Sequence, residues 1–159
     1  MIYIYFQGMK KIYCSLLLFF SLSEASAQLQ ELETAGWSTI GHLKRIGTTI
    51  AKLEYKVSGR DTLYNLLMKD FTRQQETNYF SLGFKSTDNS FGRLYDILTS
   101  FFSGENRHNK KYMRTFRLGN DNVNLQHTVV IGSKAVRLTT TGGYINLSEK
   151  DINKLFGMR

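Results

Sequence analysis

The sequence contains no proline and only one cysteine, Cys14. Average proline usage is about 5%, so its absence excludes Pro-rich docking segments and leaves the turns to Gly, Asn, Asp and Ser. A single cysteine excludes an internal disulfide and a cysteine-based zinc site. Because Cys14 lies in an N-terminal apolar run, the rest of the chain cannot use a cysteine nucleophile.

Acidic residues are also few, with 13 Asp and Glu against 21 Lys and Arg, which gives 159 residues a formal net charge of +8. The 42% hydrophobic and 13% aromatic content is ordinary for a packed core. Such a composition excludes intrinsic disorder, and the length is typical of one domain. We therefore expect a basic globular protein.

The N-terminal segment has the three-part layout of a secretory signal peptide. Lys10 and Lys11 precede an apolar run over residues 12–22, and the small residues 25–27 predict cleavage before Gln28. This segment resembles bacterial leaders of the Sec type. The run is too short for a membrane anchor, which needs about 20 apolar residues, so we expect no stable membrane span in the mature chain.

These observations predict three segments. Residues 1–8 resemble the remnant of a protease-cleavage tag, the alternative being an upstream extension of the natural chain. Residues 9–27 form the predicted signal peptide, and residues 28–159 form a single globular domain. The predicted location is therefore outside the cytoplasm, either periplasmic or extracellular.

Alternating apolar and polar residues predict two groups of strands. The first group is a meander over residues 37–43, 48–57, 62–69 and 78–85. The second group covers residues 111–118, 123–131, 134–140 and 144–147. Gly132-Ser133 predicts a two-residue hairpin turn of type II′, because glycine suits its first central position.

Two helices are predicted, one after each group of strands. Apolar residues between Phe91 and Phe102 recur at helical spacing and predict an amphipathic helix near 88–103, capped by Thr87 or Asp88. A shorter helix near 149–156 is predicted from Ser148, which can form a capping box with the residue three positions later.

The predicted fold class is α+β, with an antiparallel sheet of about eight strands curled into a roll or a partly open barrel and two helices against it. A β-sandwich is the alternative if the longer helix is wrong. The repeated order of strands and helix suggests a duplicated unit, but the two halves show no convincing match at the level of residues.

Motifs that carry catalysis or metal binding are absent from the sequence. His42, His108 and His127 are isolated from one another, and no phosphate-binding loop, nucleophile elbow or dinucleotide fingerprint occurs. No cofactor and no metal are predicted. A small secreted hydrolase stays open as an alternative, because folding can bring a serine, a histidine and an aspartate together.

One stretch of the sequence, residues 106–120, carries charges of a single sign. It contains Lys and Arg but no Asp or Glu. Such a stretch can bind phosphate groups or acidic glycans by charge, with an aromatic ring for stacking. The opposing interpretation is an edge strand whose cations prevent sheet-to-sheet aggregation. The candidate anion-binding residues are Arg107, Lys110, Lys111, Tyr112, Arg114 and Arg117.

The preferred functional hypothesis is a non-enzymatic binding or interaction module of the bacterial cell envelope. Its partner is expected to be an envelope protein or an anionic surface ligand. The first alternative is an anion-binding protein that uses the basic stretch 107–117 for a glycan, a lipid headgroup or a nucleic acid. The oligomeric state is left open by the sequence.

Overall fold

A computed structural model describes residues 36–72 and 76–158 of the chain. The predicted tag remnant over 1–8 and the predicted signal peptide over 9–27 lie outside the described residues. Within the described part, no helix combines the length and the apolar character that crossing a membrane requires.

Within the described residues, four strands and an α-helix are followed by four more strands and a second α-helix, in the order that the sequence predicts. Two short 3-10 helices lie between α1 and β5. The elements are β1 (Ser38–Arg45), β2 (Thr48–Ser58), β3 (Asp61–Lys69), β4 (Tyr79–Lys85), α1 (Ser90–Thr99), the 3-10 helices Ser100–Phe102 and Gly104–His108, β5 (Met113–Leu118), β6 (Asp121–Val130), β7 (Ser133–Thr140), β8 (Gly143–Leu147) and α2 (Glu149–Leu155).

The α+β class and the antiparallel pairing are confirmed, but the strands form two sheets instead of one curled sheet. Each sheet has four strands in chain order, β1-β2-β3-β4 and β5-β6-β7-β8. Residues 86–112, which contain α1 and both 3-10 helices, separate β4 from β5. A connection of this length cannot act as a hairpin turn, so pairing stops at β4 and begins again at β5.

Both sheets and both α-helices contribute to one apolar core. Leu53 and Leu66 come from the first sheet, Leu125 and Leu138 from the second, and all four are fully buried. Leu98 of α1 is fully buried as well, and so is Phe101 in the 3-10 helix that follows. The amphipathic interpretation of the predicted helix is therefore confirmed, although its last turn is a 3-10 helix and the α-helix ends at Thr99.

The start of α1 differs from the prediction. Its N-cap is Asn89, with a left-handed φ of 54° and no side-chain capping bond, instead of Thr87 or Asp88. The Ser90 hydroxyl instead donates to the carbonyl oxygen of Lys85, the last residue of β4. A bond back to the strand therefore fixes the entry of this helix.

The predicted cap of α2 is confirmed, and this helix docks on β1. Ser148 and Asp151 form a reciprocal capping box. Asp151 also accepts a hydrogen bond from Arg45 at 3.0 Å. The approach is close, since a Cβ added at Gly41 would lie 2.2 Å from the carbonyl oxygen of Leu155. Glycine is therefore required at position 41 by the helix packed over it.

The β6–β7 turn is not the type II′ turn that the sequence predicts. Its central residues are Ile131 and Gly132, with φ values of 49° and 75°, so both are left-handed as in a type I′ turn. The β1–β2 turn is built in the same way by Ile46 and Gly47, with φ values of 49° and 77°. Positive φ is unfavourable for a β-branched residue, so the sequence pattern excludes Ile131 from the centre of the turn. The predicted turn, Gly132-Ser133, therefore lies one residue too late.

Candidate functional site

The basic stretch predicted from the sequence is not one continuous strand. Arg107 lies in the last turn of the second 3-10 helix. Lys110 and Lys111 follow in a turn closed by a hydrogen bond from the Tyr112 N–H to the Asn109 carbonyl oxygen at 2.9 Å. The strand β5 begins only at Met113, two residues later than predicted. The candidate cations therefore belong to three different elements, which are the 3-10 helix, the turn after it and the strand β5.

A surface depression of about 450 Å³ lies between this 3-10 segment and the β6–β7 hairpin. Of the predicted site residues, Arg107 and Lys110 line it. Lys134 from β7 adds a third cationic side chain. None of the described residues that line it is acidic. We call this feature the basic depression; its side chains with ionisable nitrogen are Arg107, His108, Lys110, His127 and Lys134.

Two hydrogen bonds hold the 3-10 segment against the hairpin. Nε2 of His127 donates to the carbonyl oxygen of Asn106 at 2.8 Å, and Nζ of Lys134 donates to the carbonyl oxygen of Arg107 at 3.0 Å. His127 also packs edge-on against the Phe101 ring, with the ring centroids 5.0 Å apart. The floor of the depression is therefore fixed to the buried core.

The position of His127 follows from strand alternation. On β6, the fully buried Val123 and Leu125 face the core, and His127 and Val129 continue along the same face. His127 is half-buried at the edge of the core, and Val129 is exposed beyond it. The depression thus begins where the apolar face of β6 leaves the core.

Among the described residues, ion pairs join Arg45 to Asp151, Lys52 to Glu54 and Lys85 to Asp61, and none of these pairs involves a residue of the depression. The positive charges of the depression are therefore not offset by an ion pair within the described residues. Such a site attracts anions.

Tyr112 does not present the stacking platform that the sequence suggests. Its ring packs against Phe101 with centroids 4.7 Å apart, and its hydroxyl lies 3.2 Å from the Ser100 hydroxyl. The side chain is half-buried against the core and is not part of the lining of the depression.

The remaining predicted residues lie away from the depression. Lys111 and Arg114 are exposed and do not line it. Arg117 lines a separate hollow of about 130 Å³ together with Arg93 of α1. Because β5 pairs only with β6, Arg114 and Arg117 occupy an edge strand, where cations protect against sheet-to-sheet pairing.

Sequence reasoning missed Lys134 and His127 as members of the site. Both lie on the β6–β7 hairpin, 17 and 10 residues beyond Arg117 at the end of the basic stretch, and neither belongs to a motif. The alternation of β6 does place His127 on the inward face. Nothing in the sequence, however, indicates that the 3-10 segment folds over that end of the hairpin.

His42 lies elsewhere, on β1, with its Nε2 2.9 Å from the Thr49 hydroxyl. Burial lowers the pKa of His42 below its ordinary value of 6.5, and the positive charges of Lys44, Lys52 and Lys154 lower it further. Glu54 opposes this effect. The neutral imidazole is therefore favoured in the folded protein.

No group of three or more His, Cys, Asp or Glu side chains that could hold a metal ion occurs among residues 36–72 and 76–158. Comparisons with protein-family models, with curated proteins and with solved structures find no significant match. The functional interpretation therefore depends on the geometry and the charge of this chain alone.

Proposed function

We propose that the protein is a binding module of the bacterial cell envelope that takes an anionic group in the basic depression. The observation that carries the proposal is the convergence of Arg107, Lys110 and Lys134 on one depression whose described lining holds no carboxylate. The predicted signal peptide supports an envelope location, periplasmic or extracellular. The role is binding, without a chemical step.

The chemistry of the three cations suits an oxyanion. A guanidinium group binds phosphate, sulfate or carboxylate through two parallel hydrogen bonds, and an ammonium group adds a compact charge. The Nζ of Lys134 is already held by the Arg107 carbonyl oxygen, so its position changes little when a ligand arrives. A positioned cation loses less conformational entropy on binding than a free one.

The proposal is tested with immobilised heparin as a polyanionic probe and a series of salt concentrations. Replacing Arg107 and Lys110 by Gln is expected to lower the salt concentration at which the protein elutes. The slope of log affinity against log salt should fall by roughly one for each cation removed, as it does for phosphate contacts of nucleic-acid-binding proteins.

The matched control is the double substitution Arg114→Gln and Arg117→Gln, which removes the same charge from β5. This variant should elute close to the wild-type protein, and circular dichroism should show that both variants are folded. Equal losses in the two double variants would mean that net charge alone determines retention, and the proposal would be refuted.

A further inference from the structure

The tip of the β6–β7 hairpin combines exposure with backbone strain. Ile131 is 99% exposed and holds a φ of 49°, and Val129 is 67% exposed. Asn at the first central position of a type I′ turn would relieve the strain, since Asn and Gly accept positive φ. Because Ile131 is exposed, no packing against the described residues offsets the cost of its positive φ. The same strain occurs at Ile46 in the β1–β2 turn, so the β6–β7 tip is distinguished by its position beside the basic depression.

The strained tip and the basic depression form one continuous surface. Val129 lines the depression. It lies directly opposite Lys134 in the antiparallel register, so the two side chains share one face of the hairpin. Lys134 in turn donates to Arg107. Val129 is therefore bordered by the cations of the depression, and Ile131 follows it two residues later at the end of the hairpin.

We infer that the β6–β7 tip inserts into the surface of an anionic phospholipid membrane, while the basic depression holds the phosphate of a lipid headgroup. This inference depends on the proposed function, since it names the source of the anion. The membrane supplies an apolar environment for Ile131 and Val129 and a negative surface potential for the cations. Lysine and arginine side chains keep their charges at the level of the headgroups while the neighbouring aliphatic groups lie deeper.

The shape of the surface favours a membrane over a protein partner. A stable protein interface buries about 800 Å² on each partner, around an apolar centre with few charges. Here the apolar part is a hairpin tip of two exposed aliphatic side chains next to the cations that line the basic depression. A fluid lipid surface accommodates such a tip without a preformed complementary cavity.

The β1–β2 turn provides an internal comparison. Ile46 has the same φ of 49° and is also fully exposed. The adjacent Arg45, however, is paired with Asp151 at 3.0 Å. None of the residues that line the basic depression belongs to this turn. Ile46 is therefore expected to contribute little to membrane binding.

The experiment is co-sedimentation of the purified protein with vesicles of phosphatidylglycerol and phosphatidylcholine, compared with vesicles of phosphatidylcholine alone. The wild-type protein is expected to bind the anionic vesicles and not the neutral ones. The substitution Ile131→Asn should lower the partition coefficient about tenfold, because it removes the aliphatic side chain that enters the membrane in this proposal. This variant should fold, since Asn-Gly is favoured in a type I′ turn.

Two further variants complete the test. Ile46→Asn is the matched control, with the same chemical change in the same type of turn, and is expected to bind vesicles like the wild-type protein. Val129→Thr keeps the β-branched shape that suits a strand and should weaken vesicle binding severalfold. Thermal unfolding followed by circular dichroism establishes that each variant is folded.

The heparin column separates the two levels of the proposal. Ile131→Asn should elute from heparin like the wild-type protein, because the cations are unchanged. If the wild-type protein does not bind anionic vesicles, or if Ile131→Asn binds them equally well, the membrane inference is overturned while the anion-binding proposal stands. If the Arg107 and Lys110 substitutions change neither vesicle binding nor heparin retention, both are overturned.

Discussion

The close approach of α2 to β1 makes Gly41→Ala a sensitive test of the fold. The new Cβ would lie 2.2 Å from the Leu155 carbonyl oxygen, where ordinary contact begins at 3.4 Å, so the helix must retreat by about 1.2 Å. A gap of about 1 Å loses a quarter to a half of the contact energy. Ile152, Leu155 and Phe156 anchor the helix, and each contributes about 1.5–3 kcal/mol when buried. We expect the free energy of unfolding to fall by about 2–3 kcal/mol.

For a domain of this size, such a change lowers the Tm by about 10 °C, which thermal unfolding followed by circular dichroism will measure. The matched control is Gly83→Ala. Gly83 also lies on an edge strand, its φ is not positive, and nothing lies within 4 Å of an added Cβ. Its Tm should stay within about 2 °C of the wild-type value. A wild-type Tm for Gly41→Ala, or an equal loss in both variants, would refute the reasoning.

Three other predictions concern stability and ionisation. Ile46→Asn relieves the left-handed strain at an exposed turn and should raise the free energy of unfolding by about 1 kcal/mol, measured by urea denaturation; a decrease would contradict this. Ser148→Ala removes the cap of α2 and should lower the Tm by about 4 °C, whereas an unchanged Tm would show that the capping box adds no stability. In an NMR titration, the Cε1 proton of His42 should report a pKa below 6.5, because burial and the nearby lysines disfavour its charged form. Since the unfolded state binds this proton more tightly, the free energy of unfolding of the wild-type protein should fall as the pH drops below 6.5. The substitution His42→Gln should reduce that fall, and an equal fall in both proteins would show that His42 does not cause it.

Local patterns account for the parts of the fold that were predicted correctly. The capping box of Ser148 with Asp151 and the apolar stripe that ends at Phe101 and Phe102 depend on residues only a few positions apart. Period-two alternation likewise placed the eight strands close to their observed ranges. The division into two sheets depends instead on the path of residues 86–112 between β4 and β5. The alternation of apolar and polar residues does not predict that path.

The basic depression was only half predicted, for a related reason. Arg107 and Lys110 stand out by local charge, but Lys134 and His127 join them through hydrogen bonds that span 27 and 21 residues. The hairpin tip was misread because glycine is the usual residue at a first central position with positive φ. The sequence contains Ile131 there instead, and Ile46 departs from turn chemistry in the same way. The β6–β7 tip is set apart by its place beside the basic depression, which local sequence does not show.

The contact between α2 and β1 also determines when the domain can finish folding. Arg45 and Asp151, which join the two elements, are 106 residues apart in the sequence. Closing so long a loop is slow, and it follows the formation of the local hairpins. During synthesis from the N-terminus, β1 emerges long before the helix that covers it. The part of β1 that α2 covers therefore stays exposed until residues 149–155 have emerged.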